Sequence, residues 1–267
     1  MKLARLLGLA ALVAAIVAAP SFADDSTPPP TTITTTTNVQ PATPAPQKSS
    51  TTSKTKRTTF RVNTIFPAAG ELLVNTVAAR VSPNPHARVI KVMHMLRVDY
   101  RTQEILALST TLGSDGKPWY KISVPMRPNG MKGWIPARSV KVAPTVSQIV
   151  INRGSRTIDI YWKGKHALHA PVAVGAPGME TPVGHYYVAA RFVPYQDPFL
   201  GVFAVETSAY SKLTEWPGGG VVGIHGTSAP QLLGQAVSHG CVRMSNEAAT
   251  MLKKLVPLGT PITIVQG

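Results

Sequence analysis

The chain has 267 residues, 27 Lys and Arg against 12 Asp and Glu, a formal charge of +15 and one cysteine. That length accommodates two modest domains plus tails, and a single cysteine excludes an internal disulfide. The positive charge favours polyanionic partners, but no nucleic-acid-binding motif accompanies it, so no nucleic-acid partner is expected.

Residues 1–23 open with Lys2 and Arg5, run apolar from Leu6 to Ala19 and close on Ser21-Phe22-Ala23. A basic head, an apolar run too short to span a bilayer and a small-x-small exit describe a secretory signal peptide, with cleavage expected after Ala23 and no transmembrane segment afterwards. The expected location is therefore extracytoplasmic. Residues 24–60 are dominated by Thr, Pro, Ser and Ala, with Pro28-Pro29-Pro30 as a marked cluster. Too few large apolar side chains are present to offset ordering entropy, so a disordered linker is expected.

Residues 61–144 alternate short apolar runs (72–74, 89–93, 105–108, 119–124 and 133–135) with turn signals such as Ser114-Asp115-Gly116 and Pro128-Asn129-Gly130. That spacing predicts a small all-β barrel. The runs Trp119-Tyr120-Lys121-Ile122 and Gly133-Trp134-Ile135-Pro136 resemble bacterial SH3-like domains. Trp119, Tyr120 and Trp134 serve either as barrel core or as a peptide groove. Residues 61–143 hold twelve basic against four acidic side chains, whereas residues 144–267 hold nine against six, so the middle segment is the basic one.

Residues 145–267 continue the β pattern. Strands are expected at 148–152 and 157–162 across Arg153-Gly154-Ser155, then at 185–189, 202–206 and 221–224. Residues 191–219 read as a long loop system able to cover a site, with Tyr210 and Trp216 as substrate-contacting candidates. One helix is expected after residue 245, capped by Ser245 or Asn246, with Ala248, Met251, Leu252, Leu255 and Val256 on one face and Pro257 and Gly259 ending it.

Ile224-His225-Gly226 and Ser238-His239-Gly240-Cys241-Val242-Arg243-Met244 carry the chemistry. Cys241 is the nucleophile and His225 the base, provided the chain folds back over the sixteen positions between them. Gly226 offers no side chain to orient the imidazole, so a backbone carbonyl must hold its second nitrogen. The amides of Gly240 and Cys241 are the expected oxyanion donors, and the helix beginning just beyond is expected to help hold a thiolate. His239, two residues from Cys241, has a supporting role. Ser238 and Arg243 are substrate-binding candidates, Arg243 either for a substrate carboxylate or as a structural pair. His225, His239 and Cys241 would supply three zinc ligands, but no fourth ligand with suitable spacing appears, and neither metal nor cofactor is expected.

These residues resemble the L,D-transpeptidase catalytic-domain family (YkuD-type), whose signature is a His-Gly pair followed by Ser/Thr-His-Gly-Cys. Thr181-Pro182-Val183-Gly184 and Gly259-Thr260-Pro261-Ile262-Thr263-Ile264 extend the likeness over about the last 120 residues. The resemblance implies a mainly β fold: an SH3-like barrel followed by a β-rich catalytic domain with one main helix. It also implies peptidoglycan stem peptides as substrates, a thioester on Cys241 and 3-to-3 cross-links as product, with anionic wall polymers as partners of the basic middle segment. Three alternatives remain at this stage. They are an L,D-carboxypeptidase using water as acceptor, a cysteine endopeptidase (disfavoured by the His-before-Cys order) and a non-enzymatic wall-binding protein.

Overall fold

The computed structural model describes residues 64–267 except Gln196 and Trp216. The expected signal peptide and the whole of the expected linker lie outside the described residues, as does the candidate Trp216.

The middle region contains β1 (Ala68–Leu72), β2 (Thr76–Arg80), β3 (Val89–His94), β4 (Glu104–Leu112), β5 (Pro118–Ser123), β6 (Lys132–Pro136) and β7 (Val140–Pro144). They form one antiparallel sheet in the order β3-β2-β6-β5-β4-β1-β7. Side chains of alternating direction deliver Met93, Ile105, Ile122 and Ile135 to a shared core. Each such burial stabilises by roughly 1.5–3 kcal/mol. Trp119 and Tyr120 are buried, which makes them core residues rather than groove lining. The Trp119 indole nitrogen donates to Asp115 Oδ1 at 3.0 Å, which satisfies its polar edge. Strands β2 and β7 were not legible as apolar runs, because Val77 is flanked by Thr76 and Ala78 and the two valines of β7 straddle Lys141.

The C-terminal region contains β8 (Ser147–Asn152), β9 (Thr157–Trp162), β10 (Lys165–Pro171), β11 (Val174–Gly175), β12 (Gly184–Phe192), β13 (Ala204–Tyr210), β14 (Val221–His225), β15 (Ala236–Ser238), β16 (Val242–Arg243), α1 (Asn246–Leu255) and β17 (Pro261–Val265). Eight strands make a mixed sheet, β10-β9-β8-β17-β12-β13-β14-β16, while β11 and β15 pair separately in parallel. Ser245 Oγ accepts from Ala248 N and caps α1, and Ala248, Ala249 and Leu252 are buried. Among the described residues no helix is long and apolar enough to cross a membrane.

The stretch 191–219 is not one loop. Strand β12 extends to Phe192 and β13 occupies Ala204–Tyr210, leaving two loops, 193–203 and 211–220. The strand expected at 202–206 met only the first half of β13; the second half carries polar Thr207 and Ser208, which are buried with their hydroxyls in use. Thr207 Oγ1 donates to Val222 O and Ser208 Oγ accepts from Tyr187 N.

The two regions meet over Leu106, Tyr187 and Ala189, and the buried Tyr187 hydroxyl donates to Glu104 O at 3.1 Å. Glu206 on β13 pairs with Arg97 and Arg101 of the middle region, which also share Asp99.

Candidate active site

Strand pairing assembles the site. Strands β14 and β16 are parallel neighbours with Ile224 opposite Val242 and His225 opposite Arg243. Side chains alternate along a strand, so Ile224 and Val242 point together into the core, where both are fully buried. The same rule puts Gly223, His225 and Arg243 on the other face, with Cys241, the residue before β16, beside Gly223. The chain thus folds back between His225 and Cys241.

Gly223 N donates to Cys241 Sγ at 3.3 Å. A β-carbon placed on Gly223 would lie 3.6 Å from His225 Cδ2 and 3.7 Å from Cys241 Sγ. The sulfur therefore lies within about 7 Å of the ring edge, across a gap that exists because residue 223 has no side chain. Sequence reasoning missed Gly223. A glycine inside the apolar run Val221-Val222-Gly223-Ile224 was the available signal.

His225 is buried, and its Nδ1 lies 2.6 Å from Gly226 O. A carbonyl only accepts, so Nδ1 carries the hydrogen and Nε2 presents its lone pair. Nε2 is buried and without a hydrogen-bond partner. Burial pulls the imidazole pKa down to about 4, helped by the nearby Arg243 charge and opposed by the Gly226 carbonyl and Asp197. Burial likewise pushes the Cys241 thiol above its ordinary value, outweighing the lowering pull of Gly223 N–H and Arg243. Both groups therefore rest uncharged, which departs from the expectation of a thiolate held by the α1 dipole. Loss of hydration costs the sulfur anion more than these donors return.

Arg243 is 8% exposed, its Nε has no partner, and its guanidinium lies 4.6 Å from the Phe199 ring centroid. Phe199 also covers His225, with ring centroids 5.8 Å apart. It sits on a short helical turn, Pro198–Leu200, whose first amide is capped by Asp197. Phe199 was an aperiodic loop aromatic in the sequence and carried no sharper signal.

Several site assignments need correction. Ser238 is fully buried, donates to Cys241 O at 2.5 Å and accepts from Gly240 N at 3.1 Å, so it shapes the cysteine loop and has no surface for substrate. The Gly240 amide is spent on that bond, which removes it from the expected oxyanion pair. Gly240 itself is needed for its φ of +116°, and its carbonyl accepts from the buried Thr181 Oγ1 at 2.9 Å. Thr181 also accepts from Gly175 N, a tying role the Thr-Pro-x-Gly likeness did not reveal. Tyr210 turns its ring to the middle region, 4.7 Å beneath the Arg127 guanidinium. His239 is partly exposed between buried Ser238 and Gly240. Gly226 packs against Asn246 Oδ1, where a side chain would collide.

Among the described residues the side chains grouped closely enough to hold a metal are Asp159, His166 and His169 on β9 and β10, rather than His225, His239 and Cys241.

Residues 147–264 match the L,D-transpeptidase catalytic domain. The matched family is YkuD, and the L,D-transpeptidase match runs from the first residue of β8 nearly to the end of β17. Over 116 residues the chain is 33% identical to YkuD of Bacillus subtilis (strain 168), which bears an L,D-transpeptidase name; the alignment covers 43% of this chain and 64% of that protein. It is 29% identical over 134 residues to YbiS of Escherichia coli (strain K12), also named for L,D-transpeptidation, covering 44% of each chain. Among solved structures, an L,D-transpeptidase from Mycobacterium tuberculosis H37Rv aligns over 76% of this chain and 97% of its own, with TM-score 0.41 and 14% identity.

Proposed function

We propose that this chain is a cysteine-dependent L,D-transpeptidase that joins peptidoglycan stem peptides by 3-to-3 cross-links outside the cytoplasm. One observation supports it above the rest: an accepting imidazole nitrogen and a thiol flank the same empty Gly223 position, in a segment matching this family.

The chemistry follows from the resting charge states. A neutral thiol passes its proton to Nε2 of the neutral imidazole as the sulfur attacks the carbonyl between the third residue, a diamino acid, and the terminal D-Ala of a donor stem. The Cys241 amide donates to the developing oxyanion. His225 returns the proton to the departing D-Ala amine, leaving a thioester on Cys241. The side-chain amine of an acceptor stem then attacks the thioester, His225 takes its proton, and the sulfur leaves as His225 hands that proton to it, restoring the neutral thiol and imidazole. Arg243, a buried cation with an unpartnered Nε, holds a stem carboxylate.

In this reading the middle region is an SH3-like module whose basic surface meets anionic wall polymers, and residues 1–23 are an export signal. The test is intact-mass analysis of the secreted protein after carbapenem exposure, wild type against Cys241→Ala, alongside incubation with purified stem tetrapeptides. The expected result is a mass beginning at residue 24, an adduct on wild type alone and cross-linked dimers. Hydrolysed monomers without dimers would instead indicate the water-accepting carboxypeptidase, and an adduct on Cys241→Ala would overturn the cysteine assignment.

A further inference from the structure

The loop 211–220 lies beside the cysteine motif, and side chains of the middle region hold it there. Its first residue touches the motif directly: a β-carbon on Gly240 would lie 2.9 Å from Ser211 Cβ. Ser211 N donates to Gly220 O at 2.8 Å, closing the loop at its base. Lys212 Nζ reaches Glu180 Oε2 at 2.8 Å, joining the loop to the segment that includes Met179, whose carbonyl also approaches Gly240.

Two residues from the turn between β5 and β6 carry the attachment. Asn129 uses both ends of its amide on Tyr210, donating Nδ2–H to Tyr210 O at 2.7 Å and accepting from Tyr210 N at 3.0 Å. Its side chain thus bonds both backbone groups of the last residue of β13, as a neighbouring strand would. Arg127 points one terminal nitrogen at three carbonyls, Ser211 at 3.0 Å, Leu213 at 3.4 Å and Gly219 at 3.0 Å. Those acceptors belong to both limbs of the loop, and the guanidinium also stacks on Tyr210. A cation bonded to carbonyls of two limbs resists their separation more than neutral donors would.

We propose that Arg127 and Asn129 are positioning residues for the acyl-transfer site, fixing the 211–220 loop against Gly240 so that the middle region helps build the substrate-facing wall. This rests on the cysteine acyl-transfer reading, and the test separates the two. Full-length Arg127→Ala, Asn129→Ala and Arg127→Lys are compared with wild type by three measurements: amide hydrogen exchange, acylation by a carbapenem, and alkylation by iodoacetamide.

The expected outcome is exchange across 211–220 faster by about ten-fold in Arg127→Ala with β8 and β9 unchanged, because local opening responds to the lost anchors. Carbapenem acylation should fall by about ten-fold through misplacement of a bulky reactant. Alkylation by the small reagent, which needs no wall, should stay within about two-fold, and Arg127→Lys should recover part of both losses. Unchanged loop exchange, unchanged acylation, or an equal fall in acylation and alkylation would each overturn the proposal. Should Arg127→Ala fail to fold, Asn129→Ala carries the same comparison. Faster exchange in a protein whose wild type takes no carbapenem would sink the function reading and leave the loop anchoring standing.

Discussion

Cys241 and His225 face each other as a neutral pair, and that charge state determines how the site responds to pH. With the imidazole pKa near 4 and the thiol above its ordinary range, one protonation state spans the interval between them. The carbapenem acylation rate is therefore expected to stay flat from about pH 5 to pH 8 and fall only near pH 4, where the base takes up a proton. A stopped-flow pH profile whose acid limb centred near 6.5 would contradict it. Gly223 supplies a second prediction at this scale. The nearest atom to an added β-carbon there is Val205 O at 3.5 Å, ordinary contact, and the strand φ is not left-handed. Gly223→Ala should thus leave the melting temperature nearly unchanged while its methyl group fills the gap between sulfur and ring. Acylation is expected to fall by about 100-fold, a typical share for general base catalysis. A variant as active as wild type would mean the proton travels by another path. Cys241 and His225 stood out in the sequence as candidates because few residue types perform this chemistry and they recur at characteristic neighbours. The tasks of Ser238 and the Gly240 amide did not, because a hydroxyl or amide in a tight loop goes to whichever partner the turn brings within 3 Å.

Among the elements, the β1–β4 pair carries an unusual burden. Glu71 and Glu104 are register partners, and Glu104 is 5% exposed. Burial, and secondarily the Glu71 charge, push the Glu104 carboxyl up to about 7. Its folded-state pKa lies above the ordinary carboxylate value, so the contribution to stability is full below about pH 4.5 and is lost as pH rises through about 7. Glu104→Gln keeps the shape without the charge. It should match wild type in urea unfolding at pH 4 and exceed it by on the order of 2 kcal/mol at pH 8; equal midpoints at pH 8 would refute this. Strand β9, where Ile158, Ile160 and Trp162 alternate with Asp159 and Tyr161, was legible from alternation alone. The second half of β13 was not, because its buried hydroxyls are satisfied by neighbours distant in sequence, and hydrophobicity does not report that satisfaction.

At the scale of the molecule, charge and chemistry occupy different regions. The middle region holds the larger basic excess while the thiol and imidazole sit in the C-terminal sheet. If the basic surface meets anionic wall polymers, full-length Cys241→Ala should cosediment with polymer-bearing wall at low salt and release by about 0.5 M, where screening shortens to a few ångströms. Binding that ignores salt, or survives removal of the anionic polymer, would discard that role. The sequence by itself determined the candidate cysteine–histidine pair, the β character of both regions and the capped helix, since residue type and a two- or 3.6-residue period are local properties. Only the tertiary structure decided the parallel β14–β16 register that sets sulfur and ring around Gly223, the uncharged state of both, and the hold of Arg127 and Asn129 on the site loop. Desolvation and hydrogen-bond partnership depend on which distant chain segments cover a group, and the order of residues does not specify that cover directly.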